Sequence, residues 1–322
     1  MRCKRRCQKP PFAQVGGKPE LAGDNGQMAN MQLQDILFSQ GFGTRRVCSG
    51  LIQQGFVAVA DAPCVDPAME FIAEGLHFKV QGVAWEYHAK AYLMLHKPAG
   101  YECSQKPSTY PSIYTLLPPP IRQRGGGAAA GVQAVGRLDQ DTTGLLLLSD
   151  DGKFIHRMSS PKHHVPKVYQ VMAKHPVDDK QVARLLAGVV LDDDPKPVRA
   201  AACEKTGGHE LSLTLTEGKY HQVKRMIAAV GNRVEEVGGL HRSRIGSLDL
   251  PAELKAGQWR WLTAQDLASI AAREAGNSVV ARPEATNNCD PRVPHPGFRM
   301  KQAISPYAAS ASSYLINSIM AG

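Results

Sequence analysis

The chain has 322 residues, 43% of them hydrophobic, and a formal net charge of +9, so it can bury a sizeable core and has room for two domains plus tails. The excess of lysine and arginine favours a polyanionic partner, and no run approaches the ~20 apolar residues of a membrane span, which argues against a membrane partner. Seven scattered cysteines with no CxxC pair argue against a disulfide scaffold or a zinc ribbon and suit a reducing, cytoplasmic compartment.

The opening MRCKRRCQKPPF has the basic flank of a secretory signal without the apolar run that should follow. Residues 1–29 lack periodicity and read as a disordered basic arm. Order is expected from about Met31. Leu33, Ile36, Leu37 and Gln40 give one helical face, which Gly41 ends. Thr44 then caps a second helix with a stripe of Val47, Cys48, Leu51 and Ile52, Gly55 ends it, and Phe56 to Ala60 read as a strand. Arg45 and Arg46 fall in the first turn of that helix, where the macrodipole disfavours cations unless an anion binds there. They are either a phosphate site or two solvated arginines.

A second domain opens at Ala91. YLMLHKPAGYECS predicts an apolar strand, a turn at Lys97-Pro98-Ala99-Gly100 and a second strand. The glycine-rich stretch at 117–131 lacks the GK[ST] ending of a phosphate loop and does not open a helix, so it is not read as a nucleotide site. Next comes GRLDQDTTGLLLLSDDG, residues 136–152, expected as a strand carrying Arg137 and Asp139 beside four leucines. Ionised groups at the edge of an apolar core lose hydration and need partners or a ligand. Lys167 to Met172 and Leu211 to Leu215 also read as strands, so an α+β fold on a mixed, mainly antiparallel sheet flanked by helices is expected.

In EGKYHQVKRMIAAVGN, residues 217–232, Val223, Met226, Ile227 and Val230 mark the buried face of a helix, with Gly231-Asn232 as its stop. His221, Lys224 and Arg225 lie off that stripe and form a cationic ridge. From about Asp266 one helix, ASIAAREAG, precedes a Pro-, Asn- and Ser-rich tail to which no fold is assigned. His156, His163 and His164 fit no metal-ligand spacing, and Asp192-Asp193-Asp194 reads as a solvated turn; no metal and no cofactor are expected.

Taken together, GRLDQDTTGLLLLSDDG, KVYQV at 167–171 and EGKYHQVKRM resemble the ribosomal RNA pseudouridine synthases, in the branch whose founding member modifies small-subunit RNA. The helix pair, Gly43-Thr44-Arg45-Arg46 and the Gly55-Phe56-Val57 exit resemble an α-L RNA-binding domain at 31–83. The resemblance spans about residues 31–264 and implies a catalytic domain at 90–264, with a tail at 265–322. It further implies a monomer acting on ribosomal RNA or a partly assembled subunit. These enzymes break the bond between ribose C1′ and uracil N1, rotate the base and rejoin it through C5.

Residue by residue, the resemblance assigns Asp139 as nucleophile or base and Lys224 as the cation beside it, which an ionised carboxylate in a dry pocket needs. It assigns Tyr169 to the uracil face, with its hydroxyl placed for proton transfer at C5. Ile245, in RIGSL, becomes an aliphatic floor beneath the base. Arg137 would offset the cost of taking the nucleotide out of its stack, or else pair internally with Asp141. His221, Arg225, Arg45 and Arg46 would contact RNA. NRVEEVGGLHRSRIG carries a few more residues than the family has before its L-x-R-x-x-I-G motif, and the glycine-alanine stretch and tails also exceed the family core. A non-catalytic RNA-binding or ribosome-assembly factor retaining the fold is the alternative.

Overall fold

A computed structural model of the chain describes residues 30–125, 131–192, 194–236 and 238–276. The expected basic arm, the stretch at 126–130 and the tail beyond 276 lie outside them.

The N-terminal lobe opens with strand β1 (Asn30–Gln32), helix α1 (Leu33–Ser39) and helix α2 (Arg45–Gln53). The Thr44 side chain accepts the amide of Val47, so α2 starts where the cap predicts. β2 (Val57–Val59), β3 (Ala62–Cys64), β4 (Glu70–Ile72), β5 (His77–Val80) and β6 (Val83–Glu86) follow. Four of these strands form an antiparallel sheet in the order β3-β2-β5-β6, while β1 pairs with β4. The lobe core joins Leu33, Ile36 and Leu37 to Cys48, Ile52 and Phe78. Val47 departs from the expected stripe and is 44% exposed, because α2 meets α1 through Cys48 and Ile52, one turn apart, and Val47 lies about 100° around the axis from Cys48.

The larger lobe carries β7 (Tyr92–Lys97), α3 (Pro119–Gln123), β8 (Gln133–Ala134), β9 (Thr143–Ser149), α4 (Gly152–Ser159) and β10 (Lys167–Met172). Then come α5 (Asp179–Ala187), β11 (Val189–Leu191), β12 (Asp194–Val198), β13 (Ala202–Lys205), β14 (Glu210–Leu215) and α6 (Gln222–Ala229). β15 (Leu240–Ile245), β16 (Leu248–Asp249), β17 (Trp259–Trp261) and α7 (Ala264–Gly276) complete it. The main sheet runs β13-β14-β10-β15-β9-β7-β17, with β16 beside β15 and β8 beside β9. All its pairs are antiparallel except β15 with β9, in agreement with the expected α+β class.

The four leucines lie on β9. Leu146 and Leu148 enter one core with Leu93, Leu95 and Tyr169; Leu145 and Leu147 enter another with Met94, Phe154 and Ile245. A strand buried on both faces reads as a continuous apolar run, since its side chains alternate between two dry layers. Gly144 begins that run at φ +109, where an added Cβ would lie 2.2 Å from the carbonyl oxygen of Arg242. Glycine therefore permits the close parallel approach of β9 and β15.

One expectation changes. The segment after Gly100 makes no second strand, only an isolated bridge between Glu102 and Ser112. The Glu102 carboxylate instead accepts the amides of Ser108, Thr109 and Tyr110 and closes a loop, which draws that carboxyl down to about 2. β9, not this segment, pairs with β7. The helix expected near Asp266 forms over Ala264–Gly276, and its Ile270 enters the Leu145 core.

Arg124, 2% exposed, joins the lobes. Its Nε donates to Asp150 at 2.9 Å and one Nη to Gln40 at 2.7 Å, while the other reaches the His88 carbonyl. Gln40 is itself fully buried, and its amide oxygen also accepts the His88 amide. Removing one member of a buried, hydrogen-bonded ion pair strands the other. Arg124→Met is expected to lower stability by about 3–5 kcal/mol in urea unfolding; a loss below ~1 kcal/mol would show that Asp150 and Gln40 are satisfied without it.

Candidate active site

The GRLD residues stand on the loop before β9, not on the strand itself, because Thr143 is the first residue in the ladder. That loop is tied down from below by Lys97, the last residue of β7, which has no exposed surface. Its Nζ donates to the carbonyls of Pro98, Gln140 and Thr142 at 3.0, 3.1 and 2.8 Å. Burial pushes this amine down to about 8, while Cys103, Asp141 and Asp139 oppose that shift. The Gly100 amide adds a second tie to Gln140 at 2.8 Å. The sequence pattern of HKPAG marks this lysine only as part of a turn. A lysine ending an apolar strand was the signal for its burial, since such a position requires acceptors.

Above this anchor lies an open cleft of about 840 Å³ lined by the 136–142 loop, the cleft-facing residues of β10 and β15, the Glu102 loop and the start of α6. His221 sits in the left-handed region at φ 47 as the N-cap of α6 and brings its Nε2 to 3.3 Å from Asp139 Oδ1. Lys224, one turn into the helix, places Nζ 2.6 Å from Asp141 and 3.8 Å from the second Asp139 oxygen. Lys224 therefore bridges two carboxylates and binds Asp141 more closely, where the sequence pointed to Asp139. Asp141 is consequently not the partner of Arg137, which lines the cleft as an exposed side chain.

Tyr169 forms the opposite wall, 9% exposed, on β10. Arg242, on β15, lies 5.9 Å from the Tyr169 ring centre and donates Nη1 to its hydroxyl at 3.5 Å. Apolar lining comes from Leu138, Leu215, Val223 and Leu240. Ile245 is not among the lining residues. It is buried with Met94, Leu145 and Leu147 in the other core, whereas Leu240, five positions earlier in the same L-x-R-x-x-I-G motif, lines the cleft. A bulge on β15 at Ser243, opposite the step from Val168 to Tyr169, shifts the β10–β15 register there, and sequence alternation could not reveal it.

The remaining sequence candidates lie elsewhere. Arg225 does not line the cleft; its Nη1 donates to the Tyr220 carbonyl at 3.1 Å, which steadies the turn leading into α6. Tyr220, 69% exposed, stacks on His221 with ring centres 3.8 Å apart. Arg45 and Arg46 remain on α2 in the N-terminal lobe, with Arg45 paired to Asp35 at 2.9 Å and lying over the Phe38 ring. Among the described residues no group of three or more His, Cys, Asp or Glu could hold a metal.

The site thus brings together Asp139, His221, Lys224, Tyr169 and Arg137 from three separate stretches of chain. The family model for RNA pseudouridylate synthase matches residues 91–229, which include all five. The ribosomal small subunit pseudouridine synthase A of Pasteurella multocida is 40% identical over 222 residues, covering 69% of this chain and 89% of that relative. Its counterpart in Salmonella typhimurium is 37% identical over 237 residues, covering 73% and 98%. The solved crystal structure of a pseudouridylate synthase superposes with a TM-score of 0.51 at 32% identity, over 74% of this chain and 99% of that one. A carboxylate loop on a buried lysine, a tyrosine wall and near-complete alignment with these relatives converge on one conclusion: this chain belongs to the RNA pseudouridylate synthase family.

Proposed function

We propose that this pseudouridine synthase isomerises a uridine in small-subunit ribosomal RNA, with Asp139 as the reacting carboxylate. The observation that carries this reading is the setting of Asp139: a loop rigidly anchored by Lys97, two flanking bases at 3.3 and 3.8 Å, and Tyr169 lining the same cleft. Preorganised charges around a reacting group stabilise a transition state without reorganising at the moment of reaction.

In the proposed reaction the C1′–N1 bond breaks with its electron pair leaving on the base, as Asp139 either attacks C1′ or removes the 2′ proton. The base then turns, C5 bonds to C1′, the C5 proton departs and N1 gains a proton. No atom of the RNA is lost, so the chemistry asks of the protein only a nucleophile or base, a proton route and a shaped pocket. Tyr169 lies against the base in this scheme and its hydroxyl receives or relays the C5 proton. Arg137, exposed at the mouth, meets the displaced nucleotide or its phosphate. Residues 31–83 act as the α-L RNA-binding domain, with Arg45 and Arg46 on phosphates at the start of α2. The protein works in the cytoplasm as a monomer on ribosomal RNA or an assembling subunit.

Asp139→Asn is nearly isosteric and removes only the ionisable group. It is expected to cut the single-turnover rate on a small-subunit ribosomal RNA transcript by at least ~10³-fold while folding and RNA affinity persist; substantial turnover would remove Asp139 from the chemistry. Lys224→Met removes the ammonium that bridges Asp139 and Asp141, so the chemical step should slow by ~10²-fold or more with RNA Kd within about threefold. Arg225→Ala, which touches neither carboxylate, serves as the contrast, and equal losses in both would reduce Lys224 to a general RNA contact. Replacing Arg45 and Arg46 together with Ala should weaken RNA binding and flatten the slope of log affinity against log salt by roughly 0.7 to 0.9 per phosphate contact; an unchanged slope would leave them as solvated arginines.

A further inference from the structure

The acids of the cleft already have cationic partners, whereas two of its cations meet no carboxylate among the described residues. Asp139 and Asp141 are held by His221 and Lys224. Arg242 is only 2% exposed, yet no carboxylate among the described residues pairs with it. Its Nε is committed to the Leu145 carbonyl at 2.8 Å and its Nη1 makes the long contact to the Tyr169 hydroxyl. Its Nη2 is buried without a hydrogen-bond partner in the protein. Lys167, two residues before Tyr169 on β10, also lines the cleft, and its ammonium donates to the Val165 carbonyl at 3.0 Å without meeting a carboxylate among the described residues. Burial pushes the Lys167 amine down to about 8, and the charge of Arg242 adds to that push. Two desolvated cations that repel each other cost stability unless negative charge reaches them.

Depth decides what that charge belongs to. A phosphodiester remains on the RNA strand at the cleft mouth, where exposed Arg137 stands. Arg242 lies against Tyr169 below the surface, within reach of a small planar group turned into the cleft. Resting on the reading above, we propose that Arg242 and Lys167 bind a carbonyl oxygen of the target uracil and stabilise the negative charge that the base acquires as it leaves C1′. When the C1′–N1 bond breaks, its electron pair passes to N1 and spreads onto O2 and O4. The Arg242 Nη2 and the Lys167 ammonium donate to that growing charge, and it returns to the ring when C5 bonds to C1′ and the C5 proton is lost. Donors aimed where charge develops act as an oxyanion hole, each worth roughly 10²–10³ in rate.

The full chain is tested on small-subunit ribosomal RNA transcripts made with uridine, 2-thiouridine or 4-thiouridine, since sulfur accepts hydrogen bonds poorly. Wild-type conversion of the ordinary transcript tests the functional reading independently; without it both proposals fall. Arg242→Met is expected to slow the single-turnover step by ~10²-fold or more with RNA Kd within about threefold. Its oxygen-over-sulfur rate ratio at one carbonyl should fall toward one, and Arg242→Lys should recover part of the rate. Loss of affinity and salt slope with the chemical rate intact would mean a phosphate contact and overturn the proposal. A slowed rate with an unchanged sulfur effect would mean a structural role and overturn it equally. If Arg242→Met does not fold, Lys167→Met carries the test: a slowing above ~10-fold with a reduced sulfur effect supports the proposal, and an undiminished rate overturns it.

Discussion

Everything in the cleft depends on one buried ammonium. Lys97 closes β7 and spends its hydrogen-bonding capacity on three carbonyls, two of them in the loop that presents Asp139. A charged donor shut away from water holds its acceptors strongly, because releasing any of them would leave a desolvated charge unsatisfied. β7 and β9 are neighbours in the sheet, so the loop is fixed at both ends, by the β9 ladder on one side and by Lys97 beneath. The leucine run is what makes this a rigid base: each of the four packs in one of two dry layers, and the strand cannot slide without exposing both. Asp139 can therefore stand partly in solvent and still keep a defined position, as the proposed role of reacting carboxylate requires.

The charges around this base are segregated. The loop acids face the start of α6, where His221 and Lys224 meet them. Arg242 and Lys167 lie on the β10–β15 side with Tyr169. In the proposed reaction the sugar bond is handled at the paired side and the departing base at the cationic side, so the direction of charge movement follows the field of the cleft. His221 achieves its contact from a left-handed backbone conformation that only a few per cent of non-glycine residues adopt. The turn that imposes it also exposes Tyr220 and is braced by Arg225.

The N-terminal lobe is coupled to this arrangement through polar groups as well as apolar packing. Arg124 ties Gln40 and the His88 carbonyl to Asp150 at the end of β9. The His88 ring stacks on Trp261 of the edge strand β17, with centres 3.8 Å apart. Gly41 lets α3 approach closely, since an added Cβ there would lie 2.1 Å from the Pro120 carbonyl oxygen. A fixed lobe keeps α2 and its arginines at a set distance from the cleft, as the proposed RNA contacts at both places require.

Local pattern made much of this legible. The 3.6-residue spacing of Leu33, Ile36 and Leu37 and of Val223, Met226 and Ile227 marks helices because each needs one dry face. The Thr44 cap and the β10 and β14 strands follow from equally short-range rules. GRLD, KVY and KYHQVKRM, in that order, were enough to identify the family, and with it Asp139, Tyr169 and Lys224 as candidates. What chain order does not encode is which groups meet. That Lys224 holds Asp141 more closely than Asp139, that Leu240 and not Ile245 reaches the cleft, and that Lys97 and Arg242 are buried cations and Lys167 a half-buried one depend on strand register, on a bulge beside Tyr169 and on contacts between residues some 40 to 97 positions apart. Composition and periodicity report whether a side chain prefers water, and so determine the elements and their apolar faces. Only the folded chain decides where a charge finds its acceptor, because that is a property of pairs brought together by the sheet.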